Sequence, residues 1–493
     1  MKNTLITTAI SYTNGSPHIG HMYESILGDF IKHLHIISGR NTKLLTGTDE
    51  HGKKIEETAI KNNMTSKQLC DKFSDEFKTL NNRLQTKYDH FIRTTDPAHI
   101  NLVQEALLTV NNNMDIYKAT YEGWYNVREE SYVSELEYKN TNGLDPVTLK
   151  PYEKVTEETY YFKLSKYQEK LQKYLSTCTI PTFLQQEFLK KIEELKDISI
   201  SRQHFNWGIP FPFDNNHIVY VWFDALLNYV TGKNILYDNM NTNIIHVIGK
   251  DIVWFHVVIY PAILYSLGYD NLVTPNVFVH GHIMDMMGNK MSKSVGNVVD
   301  VNYILDKYNV EAVRYYLISN TSECNDINFS EEHMVAMYNN ELMAGFGNLF
   351  QRLYRLLIPC EDNINNLLKE KTYDIKTNYN NLKLILEEVI QENINIKKYM
   401  KILNNMIMNL NKMIQDTAPW KKEGEDKFLL LTNLLLSLNS IMILMFPVIP
   451  DKINELRGYL GLGNIGNDIL DTPELQINIG KNNTNIKVFS KIV

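Results

Sequence analysis

His18 and His21 flank a glycine in the stretch TNGSPHIGHMYESILGDF, three residues apart. At helical spacing two such imidazoles share one face of a first turn. A helix start also offers free N–H groups and a partial positive charge, so anions bind there. Gly20 between them has no side chain, so a flat ring could lie against its backbone. The pair alone leaves three readings open: a phosphate site, half of a metal site, or two polar residues without a task. No third metal ligand stands nearby in the sequence. A second element narrows the choice. GNKMSKSVGN places Lys290 and Lys293 in a loop rich in small residues, and two lysines three apart can close over a polyphosphate. A solvated surface loop is the plain alternative for that pair. Asp49, in TGTDEHGKKI, suits either an ammonium group or a loop cap.

These residues need elements to hold them. Leu5–Ile10 reads as a buried strand and YTNGSP as a turn. A helix should start near Pro17, a favoured first helical position, with Ser16 as its cap. Ile26, Leu27, Phe30, Ile31 and Leu34 keep its apolar stripe. KLLTGTDEHGKKI repeats strand, polar loop and helix. Two such units imply an α/β fold with a parallel sheet, and a site at the C-terminal ends of its strands. From about residue 116 short strands and turns interrupt the scheme, as an insertion would. HIVYVWFDALLNYV and NIIHVIGKDIVWFHVVIYPAILY resume it. Beyond about residue 335 apolar residues recur at helical spacing. The final INIGKNNTNIKVFSKIV is not helical and should pack back on another domain.

The bulk composition bounds the function. The chain has 493 residues, 44% hydrophobic and 22% charged, with a net charge of −7. That length suggests two to four domains at about 100–200 residues each. The charge argues against a general electrostatic coat for nucleic acid, though not against one local basic groove. Cys70, Cys178, Cys324 and Cys360 lie far apart and form no CxxC pair, which fits a reducing compartment. The N-terminal MKNTLITTAI lacks the pattern of a signal or transit peptide. One stretch, Phe428–Pro450, is long enough to cross a membrane. Its Thr432, Asn433, Ser437, Asn439 and Ser440 favour a buried bundle helix instead.

Both elements, in this order, resemble the two signatures of class I aminoacyl-tRNA synthetases: HIGH at His18–His21 and KMSKS at Lys290–Ser294. Nearly the whole chain is similar to the methionyl-tRNA synthetase family, through SYTNGSPHIGHMYE, GTDEHGKKI, YEGWY, EETYYFKLSKY, DISISRQHFNWGIPFP, VYVWFDALLNYV, IGKDIVWFH and DTAPWKK. The resemblance implies a Rossmann-type parallel-sheet catalytic domain with an inserted connective domain, followed by an all-α anticodon-binding bundle. The expected limits are 1–115 and 216–275 for the two catalytic halves and 116–215 for the insertion. Residues 276–335 would form the KMSKS loop and stem-contact region, 336–463 the helical domain, and 464–493 a tail packing back on the catalytic side. It also implies methionine activation with ATP, in which His18, His21, Lys290 and Lys293 stabilise phosphate charge. Gly20, Gly249 and Asp251 would join them around ATP. Ala9, Ile10, Tyr12, Asp49, Trp222, Ala225, Leu226, Tyr229, Ile252 and His256 would surround methionine, with Asp49 on the ammonium. Asn348, Arg352 and Trp420 would read the anticodon of tRNA(Met) by stacking and edge contacts. Magnesium would arrive with ATP. A cytoplasmic monomer is expected, with no membrane or DNA partner.

One departure stands out. Many family members hold zinc in the insertion through cysteine pairs, but here Asn126 and Glu129 occupy the first pair's positions, and the downstream LDPV lacks cysteine. No zinc is expected. Three rivals remain at this stage. A synthetase for isoleucine, leucine or valine would carry a larger editing insertion. A non-catalytic tRNA-binding relative would have eroded signatures. A general nucleotidyltransferase would not need the helical region.

Overall fold

The computed structural model describes residues 3–126, 131–133, 135–146, 148–203, 205–238, 240–291, 297–370, 372–391, 393–472, 475–479 and 486–492. Lys293 and Glu129 lie outside the described residues. Five of the sheet's strands carry the catalytic region: Asn3–Thr8 (β1), Asn41–Asp49, His90–Arg93, Thr242–Gly249 and Val277–His280. All pair in parallel, which requires a crossover between each. β1 is central. Asn41–Asp49 lies on one side of it and Thr242–Gly249 on the other. The chain therefore moves outward in opposite directions from β1, and a crevice opens between the C-terminal ends of β1 and Thr242–Gly249.

The helix after β1 is Ile19–Ile37 (α1). Ile19, Met22, Tyr23, Ile26, Leu27, Phe30, Ile31 and Leu34 are buried, at the spacing read from the sequence. Its start differs from expectation. The cap is His18, not Ser16, because an imidazole takes over the work a hydroxyl normally does.

The insertion is a small antiparallel sheet. Ile116–Asn126 pairs with Glu153–Phe162 along its length, flanked by Ser131–Val133 and Ile198–Ser199. Its knuckle is tied by Asn126 Nδ2, which donates to Asp145 Oδ2 at 2.8 Å in a buried contact. The other oxygen of Asp145 accepts from the Thr148 backbone N–H at 2.6 Å and from its hydroxyl at 3.0 Å.

The C-terminal part is helical. Ile396–Thr417 and Gly424–Met445 pack together, and Leu431, Leu434, Leu435, Leu438 and Ile441 of the second are fully or nearly fully buried. This is the stretch that passes a length test for crossing a membrane, and it serves here as the centre of a bundle. The described part of the tail binds the helices. Gln351 Nε2 donates to the Ile486 carbonyl, and Asn339 bonds both ways with Ile492. Asn365 does the same with Ile477. Asn454 accepts from the Ile465 N–H at 3.1 Å. Asn467, Leu470 and Asp471 also border a cavity at the turn 38–40 that ends α1. Unpaired backbone of an irregular tail takes side-chain amides wherever they are offered, and the helices offer four.

Sheet and bundle share one buried joint. Arg314 is fully buried. Its guanidinium donates to Asp29 Oδ2 of α1 at 2.6 Å, to the Leu84 carbonyl at 3.2 Å, and to the Val448 and Pro447 carbonyls at 2.8 and 3.3 Å. Burial raises the Asp29 carboxyl, but His33 and Arg314 outweigh it and hold it far below the ordinary range. Removing one partner of such a pair leaves a buried charge uncompensated, at a cost of about 3–5 kcal/mol. Arg314→Ala should therefore lose about that much stability in urea denaturation, and Arg314→Ala/Asp29→Ala should lose less than the two single losses added together.

Candidate active site

The loop after β1 delivers the histidines. His18 Nδ1 accepts from the Gly20 backbone N–H at 3.1 Å, and the His18 backbone N–H donates to His21 Nδ1 at 3.1 Å. This is a capping box built from two imidazoles. Because both Nδ1 atoms accept from backbone amides, each neutral ring carries its proton on Nε2. The rings stack at 3.7 Å between centroids, and Phe77 meets His21 edge-on at 4.9 Å. A Cβ on Gly20 would stand 3.0 Å from His18 Cε1, so only glycine leaves the ring unpushed. Burial and the neighbouring His18 ring press the His21 pKa well below the usual histidine value. His21 is therefore a neutral donor.

These rings line a cavity of about 480 Å³ at the crevice, together with Gly20, Gly249, Asp251 and Lys290. All the ATP-site residues expected from the sequence are here except Lys293, which lies outside the described residues. The cavity adds groups that the sequence reading missed. Glu24, one turn past His21, accepts from the Ala9 backbone N–H at 2.6 Å and meets His280 Nε2 at 3.4 Å. Burial lowers the His280 pKa, but Glu24 overrides it and leaves it raised. His282 Nε2 stands 3.5 Å from Asp251 Oδ1. Burial raises the Asp251 carboxyl, and His282 more than reverses this. The run HGH directly after a strand was the available signal for His280 and His282.

A second cavity of about 190 Å³ adjoins the first and shares Ala9, Ile10, Tyr12 and Ile252 with it. It collects all ten residues expected around an amino acid: those four, with Asp49, Trp222, Ala225, Leu226, Tyr229 and His256. Lys54, Val221 and Asn228 also line it. Asp49 ends its strand and is 8% exposed, and its carbonyl is held by Thr13. The next residue, Glu50, is anchored by a two-pronged bond from Arg93, with Nε and Nη2 at 2.6 and 2.9 Å. The aromatic wall is Trp222 stacked on Phe255, centroids 3.7 Å apart. At its end the Tyr229 hydroxyl lies 2.7 Å from His256 Nε2, while His256 Nδ1 is 2.9 Å from the Ile252 carbonyl. The carbonyl can only accept, so Nδ1 carries the proton and Nε2 accepts from Tyr229. Burial pushes the His256 pKa down to about 4 and the Tyr229 pKa well up. Both stay neutral near pH 7.

Asn348 and Arg352 lie one turn apart on the exposed side of the helix Asn348–Leu357. Trp420 is 51% exposed on the turn after Ile396–Thr417, where Ala418 takes a left-handed φ of 42°. No contact among these three is described. Among the described residues, no group of three or more His, Cys, Asp or Glu side chains is placed to hold a metal.

The chain matches the family model described as tRNA synthetases class I (M), over residues 4–146 and 147–354. It is 35% identical to a methionine–tRNA ligase of Thermotoga maritima, over 92% of this chain and 74% of that one. It is also 35% identical to one from Rickettsia conorii, over 94% of both. Among solved structures it resembles Mycobacterium tuberculosis methionyl-tRNA synthetase in complex with methionyl-adenylate, with a TM-score of 0.83 and 31% identity over 94% of both chains. A second structure of that enzyme, also bound by methionyl-adenylate, gives a TM-score of 0.86 and 29% identity, over 99% of this chain and all of that one.

The buried histidines set a pH dependence. An unfolded histidine titrates near 6.5 (about that value in peptides). His21, His35, His90, His217, His246 and His256 are all held below it, His35 at about 3 and His256 at about 4, in each case chiefly by burial. As pH falls below the unfolded value the unfolded chain takes up protons that these rings refuse, so stability rises with pH there. His280, with its raised pKa, acts in the opposite sense, contributing at low pH and losing that contribution as pH rises. With six against one, the urea midpoint should fall from pH 7.5 to pH 5. A midpoint equal or higher at pH 5 contradicts this account.

Proposed function

Because the chain belongs to the methionine branch of the class I tRNA synthetases, we infer that its two adjoining cavities bind L-methionine and ATP. Here methionine is activated to methionyl-adenylate and passed to the 3′ end of tRNA(Met). The observation that carries this reading is the shared wall. A carboxylate-bearing ligand in the smaller cavity and a nucleotide in the larger one would meet at Ala9, Ile10, Tyr12 and Ile252.

The chemistry needs no protein nucleophile. The methionine carboxylate attacks the α-phosphorus in line, pyrophosphate leaves, and the terminal ribose hydroxyl of tRNA then attacks the aminoacyl carbonyl. Catalysis is positioning together with donors aimed at phosphate charge. His18 and His21 supply neutral Nε2–H donors, and Lys290 and Lys293 supply cationic ones. Asp251 suits the ribose hydroxyls, with Gly249 allowing close approach. Magnesium accompanies ATP. Asp49 takes the methionine ammonium. The thioether lies along Trp222, Ala225, Leu226 and Ile252 toward Tyr229 and His256. Sulfur packs well on aromatic rings, and a neutral polar end suits a weak acceptor.

Asn348, Arg352 and Trp420 are proposed to read the anticodon. Their exposure supports this, since unpaired bases need accessible stacking and hydrogen-bonding groups. A reducing, cytoplasmic setting is supported by four free cysteines, three of them buried, and the chain is proposed to act as a monomer. The zinc-free reading of the insertion is supported by the Asn126–Asp145 contact, an amide N–H donor on a carboxylate where a cysteine-bound zinc would need thiolates.

ATP–pyrophosphate exchange with a panel of amino acids tests the assignment. Methionine should be activated best, and Asp49→Asn should raise the KM for methionine about ten- to a hundred-fold, as expected for losing a charged hydrogen-bond partner. Faster exchange with leucine or isoleucine would assign the chain elsewhere. Elemental analysis of purified protein should find less than stoichiometric zinc, and a zinc chelator should leave exchange intact.

A further inference from the structure

Asp224 lies in the short helix Val221–Leu226, which also gives Trp222, Ala225 and Leu226 to the smaller cavity. Asp224 itself does not line that cavity. Its carboxylate is 1% exposed and gripped from two sides. His51 Nδ1 is 2.7 Å from Oδ2, and His99 Nε2 is 2.8 Å from Oδ1. The other nitrogen of His99 is 2.9 Å from Thr231 Oγ1, on the helix Asn228–Tyr237 that carries Tyr229. His51 stands two residues beyond Asp49. The Trp207 ring packs near it at 5.8 Å, and the Trp207 indole N–H donates to the Glu50 carbonyl.

One buried carboxylate thus joins the two halves of the amino-acid cavity, which come from segments 173 residues apart. One half carries the ammonium partner, the other the aromatic wall. An apolar contact would hold two segments together with less desolvation. Directional bonds to a fixed carboxylate control angle as well as distance. In a cavity that must match a substrate end to end, small displacements are costly.

We propose that Asp224, held by His51 and His99, is a positioning residue that sets the separation between Asp49 and the Trp222–Tyr229 wall. Through that separation it sets the fit to the length of methionine. The inference rests on the reading of the smaller cavity as the methionine site.

The test compares His51→Gln, Asp224→Asn and the double variant in ATP–pyrophosphate exchange, with methionine and with norleucine. Losing a charged hydrogen bond should raise the KM for methionine about ten-fold or more, with the KM for ATP within about two-fold. The preference for methionine over norleucine should shrink in both single variants. The double variant should be no worse than Asp224→Asn alone, because that change already disturbs the His51 contact along with the one to His99. A KM for methionine and a preference that stay unchanged in folded His51→Gln overturn the proposal. So does a lowered melting temperature with equal rises in both KM values, which marks a merely structural tie. If Asp224→Asn fails to fold, His51→Gln alone decides. Asp49→Asn separates the layers: if it leaves the KM for methionine unchanged, the methionine site itself is misplaced. If it raises that KM while His51→Gln does not, only the positioning role falls.

Discussion

The buried contact between Arg314 and Asp29 fixes one helix for two purposes. Asp29 lies in the middle of α1, and the N-terminus of α1 is the floor of the nucleotide cavity. Arg314 reaches that carboxylate from the segment after the sheet, while its other donors hold carbonyls at Leu84, Pro447 and Val448. The helix that presents His18 and His21 is therefore also the helix against which the bundle is seated. Such an arrangement needs a charge that cannot be neutralised, and arginine is the side chain whose charge persists when buried. Its planar fork also lets it satisfy several acceptors at once.

The site divides its electrostatics in a consistent way. Rings that burial has stripped of charge, His21 and His256, serve as fixed hydrogen-bonding groups. Charge is kept where a carboxylate has a partner: Asp251 beside His282, and Asp224 between two histidines. In a low-dielectric crevice these partners hold the Asp251 and Asp224 carboxyls below their ordinary range, so both stay ionised across the neutral range. Donors that do not reorganise are the ones that stabilise developing phosphate charge most effectively.

Local patterning made much of this visible in advance. Strand, loop and helix repeated at β1 and at Asn41–Asp49, and the alternation alone implied a parallel sheet with its site at the strand ends. The ten residues around an amino acid were implied by the family resemblance and not by patterning, and they line a single cavity. What stayed hidden depended on partners far away in the chain. Nothing near Glu24 announces His280, and nothing near Asp224 announces His51. Lys54 lines the cavity only because a helix turns it there. The start of α1 was misjudged by two residues for a different reason: propensity favours serine and proline at a helix start, and has no term for an imidazole acting as cap. The places where the tail is held were not legible either, because an irregular segment follows side-chain amides, which no hydrophobic period reveals.

The imidazole caps also change what a helix end can do. An ordinary N-terminus offers its unsatisfied N–H groups at the backbone, where a bulky triphosphate must crowd in to reach them. Here those amides are spent on Nδ1 of His18 and His21, and each ring hands the donor role outward to its far nitrogen. The helix is in effect prolonged by the width of a ring. Its positive end is projected into open space, without a net charge being added and without a further turn of backbone being built.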